Sequence, residues 1–483
     1  MSVRICSNIL LVVVLAKNLS PADFGVFSLI RTTVIIGIYL VGFELYNYTN
    51  RFIPGKSFVD AAGLLGNLLL FEIIFIVLTY LLIFGSGLDH SLARAINIED
   101  NHDLLRLGFV ILLLTLFSRE FQRYFIITKR IQIANMVNFF MSNFWIFAAS
   151  VLWAVNKTIR LEQIILLWLI TTALSWIYIA FRFNEWKYLA KKLSFKKIKN
   201  AMSFSAPLYA TSISQQTSNR SNFYFLAYFH NTRVAGIYSF SYNIVTMGIG
   251  LLGTIFSDLL VPYITEHHNK GRFREKIKLL THQIHYAIMI VFPALIAFIV
   301  EGEGIIPIIG KTEYLEANRI IPLLIIIMIV NQLANAGKYL LFLENKIWLI
   351  AMINLIGVLV NITLNLALIP RFSYYGAAIA SVCSFSLVLL LFYWQIRRFK
   401  LIDISRIRWA RLGSVFAGFA LFGYGLRYVL AGWVVPSEPY LLIVWSILFM
   451  TLYIFGVWRY FLEDADRAEV RKLAEVIKRK TLC

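Results

Sequence analysis

Apolar residues run along this chain in blocks of about 17 to 25, divided by short polar segments, over nearly all of its 483 residues. A hydrocarbon layer about 30 Å thick takes about 20 residues of helix at 1.5 Å each, so every block has the length of a membrane-crossing helix. Only helices and closed barrels satisfy their own backbone in lipid. The blocks are too long and too evenly apolar for barrel strands, which alternate over about 10 residues. The pattern predicts about fourteen helices, over 3–19, 24–43, 61–84, 104–127, 136–155, 163–183, 201–229, 234–262, 283–300, 319–343, 347–369, 375–396, 409–429 and 440–461. The first is short for a span, which leaves room for further residues upstream. It is not a signal peptide, because Leu15-Ala16-Lys17-Asn18 is a poor cleavage site and many spans follow.

Polar segments fix the orientation. With the N-terminus in the cytoplasm, 31 Lys and Arg fall in segments on the inner side and 7 on the outer side. That asymmetry places both termini in the cytoplasm. It also accounts for the net charge of +20 without nucleic acid as a partner. Composition agrees, with 59% hydrophobic and only 15% charged residues. A soluble domain carries roughly a quarter charged residues. Cys6, Cys383 and Cys483 are far apart and form neither a disulfide framework nor a metal spacing.

A weak internal repeat runs through the chain. Phe24-Gly25-Val26-Phe27-Ser28 follows the first span and Ala235-Gly236-Ile237-Tyr238-Ser239 the seventh. Pro54 and Pro262 close the next helices, and Arg123-Tyr124 matches Lys338-Tyr339. Three matches in order, at offsets of 208 to 215, predict two six-helix halves in parallel topology. The expected organisation is a first bundle over 1–183, a basic cytoplasmic linker over 184–200, a second bundle over 201–400, two extra helices over 401–461 and a basic tail over 462–483.

Three segments resemble one superfamily. Residues Leu15 to Phe27, with Leu19-Ser20-Pro21 and Phe24-Gly25, are similar to the opening of polysaccharide transporters. Ile309 to Ala317, around Gly310 and Tyr314, and Tyr375 to Ser381, with Gly376-Ala377-Ala378-Ile379-Ala380, resemble two later segments of the same group. Together they resemble the Wzx-type O-antigen and exopolysaccharide flippases, within the larger group that includes the MATE exporters. The resemblance implies two six-helix bundles around a central cavity in a bacterial inner membrane. Its implied cargo is an undecaprenyl-diphosphate-linked oligosaccharide moved to the periplasmic leaflet, with membrane lipids and other polysaccharide-assembly proteins as further partners. Relatives usually carry more residues before the first span.

Charges inside the spans give the resemblance a chemical basis. Arg31, Arg119, Arg123, Arg220 and Lys338 lie within predicted helices. Each costs on the order of 2.5–3.5 kcal/mol in lipid unless it meets water, a partner or an anion. A cationic cavity suits a diphosphate, because guanidinium pairs bidentately with phosphate oxygens. Arg119 and Arg123 share a helix face. Arg220 sits in the polar run Thr211 to Asn222, which is too polar to face lipid. Glu72, Glu120 and Asp258 are the candidates for coupling to a proton or sodium gradient, or for salt bridges with those cations. Gly310-Lys311-Thr312 mimics a phosphate loop but lacks its spacing. No triad or metal constellation appears, so neither an enzyme nor a cofactor is expected. Two rivals remain: an exporter of small solutes, and a glycan polymerase, which usually carries a larger outer loop than any here.

Overall fold

The computed structural model describes residues 2–53, 57–190, 194–250, 263–272, 279, 291, 295–299, 302–398 and 451. The expected helices over 409–429 and 440–461, most of 283–300, and Asp258, Pro54 and Pro262 lie outside these residues. Every regular element among the described residues is helical. We label the helices α1 (Ser2–Asn18), α2 (Pro21–Gly42), α3 (Tyr46–Phe52), α4 (Phe58–Gly85), α5 (Leu88–Ala95), α6 (His102–Ile127), α7 (Ile131–Asn138), α8 (Phe144–Asn156), α9 (Leu161–Arg182), α10 (Trp186–Leu189), α11 (Phe195–Phe229), α12 (Thr232–Asn243), α13 (Ile321–Leu343) and α14 (Ile347–Arg398).

Among the described residues, six helical runs are long and apolar enough to cross a membrane: α2, α4, α7 through α8, α9, α13 and α14. Helix α1 is shorter. Helices α6 and α11 have the length but carry more charged or polar residues, α11 through its middle and α6 on either side of its apolar middle, with Arg119, Glu120 and Arg123 in its last third. A π turn over Phe139–Asn143 joins α7 to α8. Helix α14 breaks at Ser373, whose φ of 50° is left-handed, just past Pro370; the expected gap between the eleventh and twelfth spans falls there.

The chain divides into two units, Met1–Gly248 with Ile309–Ile396, and Ile249–Ile308 with Arg397–Cys483. The second is described mainly over short helical stretches, 263–269, 295–299 and 302–308. The first holds the candidate site. Its packing centres on α2 against α12. Ser20 caps α2, its Oγ accepting from the Asp23 amide at 3.1 Å, and Pro21 starts the first turn. Phe24, Phe27, Tyr238 and Phe240 are all buried there. The 3-10 turn Thr312–Arg319 closes over the same end, with Lys311 Nζ donating to the Asn18 carbonyl at 2.9 Å.

The expected linker over 184–200 is more ordered than its lysines suggest. Helix α10 fills its first part, and α11 begins at Phe195. Gly66 of α4 admits this arrangement, because a Cβ there would lie 1.8 Å from the Leu189 carbonyl oxygen. Asn67 Oδ1 also accepts from the Ser194 amide at 2.6 Å.

Candidate functional site

Arg31 and Arg220 face one another where α2 packs on α11, close enough for their charges to repel. Arg31 is midway along α2. Arg220 is held by its own helix, its Nε donating to Gln216 Oε1 at 3.3 Å, one turn back. Hydroxyls surround the pair. The Tyr224 hydroxyl is 2.8 Å from Thr33 Oγ1, and Tyr224 and Tyr242 both sense the charge of Arg220. Among the described residues no carboxylate pairs with either guanidinium. Two partly buried like charges with neutral surroundings make a candidate site for an anion.

A second group of charges gathers toward the other end of α2. Phe43 and Glu44 both take left-handed backbone, with φ of 48° and 55°, and turn the chain out of α2 into α3. The turn carries the Glu44 side chain inward, where Glu44 is 3% exposed. Glu44 Oε1 lies 4.0 Å from Arg119 Nη2, and Asn47 Nδ2 donates to Oε2 at 2.6 Å. The Glu44 carbonyl accepts from Ser205 Oγ of α11 at 3.2 Å. Arg119 also stacks over the Tyr39 ring at 4.9 Å. From α13, Lys338 donates to Gln215 Oε1 at 3.0 Å and lies within electrostatic reach of Glu44. Glu72 and Glu120 are buried beside this group, and Arg123 acts on Glu120 from the next turn of α6.

The structure therefore brings the predicted cations together in two places. Arg31 joins Arg220; Arg119 and Lys338 reach Glu44, and Arg123 acts on Glu120 beside them. Glu44 falls just past the end of the predicted span 24–43 and is not among the acidic residues that the sequence singles out. Nothing in the sequence marks Phe43-Glu44 as a left-handed turn, since neither residue is Gly or Asn. Also unmarked is a third cluster, made wholly of neutral side chains. Asn222 Nδ2 donates to the Tyr238 hydroxyl and to Ser381 Oγ, both at 2.8 Å. Asn365 Nδ2 donates to Asn222 Oδ1 at 2.7 Å and to Asn361 Oδ1 at 2.9 Å, and Asn361 donates to Ser384 at 3.1 Å. The signal available was Asn361 and Asn365, four residues apart in an apolar span.

The interior is narrow. Two small cavities follow α11. One of about 50 Å³ touches Asn219, Asn222 and Tyr242, and one of about 20 Å³ touches Gln215, Asn331 and Lys338. Each holds a water or two. Two larger cavities, about 510 and 400 Å³, are apolar; one lies among α2, α4 and α6, the other beside α10.

Away from the spans, Asp89 of α5 is buried and binds His102 Nε2 at 2.9 Å and Arg106 Nε at 3.2 Å. Burial alone would raise its carboxyl, but these two bonds, the His90 amide and the His90 ring outweigh it and hold the group below 3.8.

The profile of a family described as polysaccharide biosynthesis protein matches residues 3–268, more than half of the chain. A protein of Haloferax volcanii, described as a probable low-salt glycan biosynthesis flippase, is 23% identical over 237 residues. That match covers 48% of this chain and spans half the length of the relative. Among solved structures, the lipid II flippase MurJ in an inward closed conformation superposes with a TM-score of 0.68 at 14% identity, covering 95% of this chain and 98% of MurJ. An inward-facing multidrug resistance MATE transporter superposes at 0.61 and 14% identity, over 83% of this chain and 95% of its own. The fold is the one these transporters share.

Proposed function

This chain belongs to the polysaccharide biosynthesis protein family, and on that footing we propose that it is a flippase for a polyprenyl-diphosphate-linked oligosaccharide. The cargo passes from the cytoplasmic to the outer leaflet of a cytoplasmic membrane. In this reading the chain crosses the membrane fourteen times with both termini inside. Bundles over 1–183 and 201–400 form the two moving halves, 184–200 links them, and 401–461 adds two helices before the tail.

The carrying observation is Arg31 opposite Arg220 with no acidic partner among the described residues. Holding two such charges in the membrane costs several kcal/mol, which a bound diphosphate offsets through charge-assisted hydrogen bonds. Gln215, Gln216, Asn219 and the tyrosine hydroxyls then face the sugars, while the polyprenyl chain stays in lipid. Arg119, Arg123 and Lys338 form a second cationic station nearer the cytoplasmic end, reached first. The halves part on one side at a time and pass the headgroup from one station to the other. An exporter of organic cations shares the fold, but the facing arginines repel such cargo.

Mass spectrometry of the purified protein in native membrane fragments tests this. We expect a co-purifying polyprenyl-diphosphate glycan in the natural protein and its loss from Arg31→Ala and Arg220→Ala, with surface polysaccharide reduced at unchanged protein abundance. Normal glycan display in both variants removes these residues from the site.

A further inference from the structure

Glu72 and Glu120 are not used by the anion site, yet they are among the most deeply buried charges in the first unit, at 0% and 2% exposed. Glu72 comes from α4 and Glu120 from α6, and the charge of Glu120 acts on Glu72. Neither oxygen of Glu72, and one oxygen of Glu120, has a hydrogen-bond donor among the described residues. Gly42 of α2 lies next to Glu72, since a Cβ there would be in ordinary contact with its Oε1, at 3.9 Å.

The charged groups that face this pair are few. From the turn after α2 comes Glu44, already engaged with Arg119, Asn47 and the charge of Lys338. From α6 come Arg119 and Arg123. Helix α4 adds no further charge beside Glu72. Three carboxylates thus share two guanidinium groups, with Lys338 reaching only Glu44. Two ionised carboxylates, buried side by side and short of donors, repel at low dielectric, and the stable state places a proton on one of them.

We infer that Glu72 and Glu120 form a proton-binding site within the first unit, holding one exchangeable proton between them. A proton fits better than a metal cation. It binds one carboxylate oxygen and needs no coordination shell, whereas a metal ion would lie against Arg119 and Arg123. The three carboxylates also do not converge as metal ligands; among the described residues the only such convergence is Asp89, His90 and His102. Loss of the proton leaves a net negative charge beside Arg119 and competes with Glu44 for that guanidinium. Its protonation thereby bears on the cationic station that the proposed flippase presents to its cargo, and this coupling role, unlike the site itself, rests on that reading.

Infrared spectroscopy of the full chain in nanodiscs tests the site with no cargo present. The natural protein is expected to show the carbonyl band of a protonated carboxylic acid at neutral pH, shifted in heavy water and lost reversibly in alkali. Glu72→Gln and Glu120→Gln are each expected to abolish it, because the surviving carboxylate then shares the two guanidinium groups with Glu44 alone, one positive charge for each negative one. Absence of a titrating band in the natural protein, or its persistence in the double variant, overturns the site. Should the glutamine variants fail to fold, the natural protein's titration still decides, and Glu72→Asp should shift the band. The coupling role is read separately, as an expected loss of at least tenfold in surface glycan in Glu72→Gln. Normal display with the band gone leaves the site standing and removes the coupling. Normal display in the Arg31 and Arg220 variants with the band intact removes the flippase reading and leaves the site.

Discussion

Gly25 of α2 and Gly236 of α12 meet backbone to backbone. A Cβ on Gly25 would lie 1.9 Å from the Thr232 carbonyl oxygen, and one on Gly236 would lie 1.7 Å from that of Pro21. One turn along, Ser239 Oγ donates to Ser28 Oγ. These are the counterparts of the sequence repeat, and each touches its own equivalent. Contact between equivalent positions is what a local two-fold axis between α2 and α12 produces. Small residues there let two helices approach without a side chain between them.

Valine at either glycine has no room, because the obstructing atoms are backbone carbonyls that cannot rotate away. We expect Gly25→Val and Gly236→Val each to destabilise the purified protein by about 1–3 kcal/mol or more, seen as a lower melting temperature in detergent. Ser28→Ala should cost only about 1 kcal/mol. Equal melting of the valine variants and the natural protein would show that α2 and α12 do not cross here.

Length and hydropathy made the helices legible, because the bilayer dictates both. Helix ends were read to within a few residues wherever a cap or a proline stood, as at Ser20-Pro21. The repeat was legible as matching residues, but not that those residues touch. For the site, the sequence named Arg31 and Arg220 singly by their cost in lipid; that they face one another depends on how α2 meets α11, which no local pattern carries. Glu44 was hidden by a left-handed turn without glycine. The amide network was hidden because Asn361 and Asn365 look like isolated polar residues until α11 supplies Asn222.

In the proposed site the facing guanidinium groups trade stability for binding. Arg220→Gln removes a like-charge repulsion, so it should raise stability by on the order of 1 kcal/mol while reducing glycan display at least tenfold. Parallel melting and surface-glycan measurements separate the two effects. A variant that lost stability and function together would mark Arg220 as a structural residue.

The neutral network should behave as one unit. Asn365→Leu strips donors from both Asn222 and Asn361. Interhelical hydrogen bonds in membranes average about 0.6 kcal/mol and reach about 1.7, so the loss should fall at about 1–3 kcal/mol. A double-mutant cycle with Asn222→Ala should show coupling of at least about 0.5 kcal/mol. Strict additivity would mean that the bond between α11 and α14 contributes nothing.

Asp89 gives the connection between α5 and α6 a distinct acid response. Its folded carboxyl is held below its ordinary value of 3.8 by His102, Arg106 and His90. A depressed carboxyl stabilises the folded state at pH above its unfolded value, and that contribution disappears as the pH falls through the folded value. Stability from this group should therefore be level from neutral pH down to about 4, and decline only below. Asp89→Asn keeps the shape but loses the charge that binds both partners, so it should melt lower than the natural protein at neutral pH. The gap should close in acid, where the natural carboxyl is protonated too. Melting curves across an acid series measure both limbs. A gap that stayed constant below pH of about 3 would mean that packing, rather than charge, holds α5 to α6.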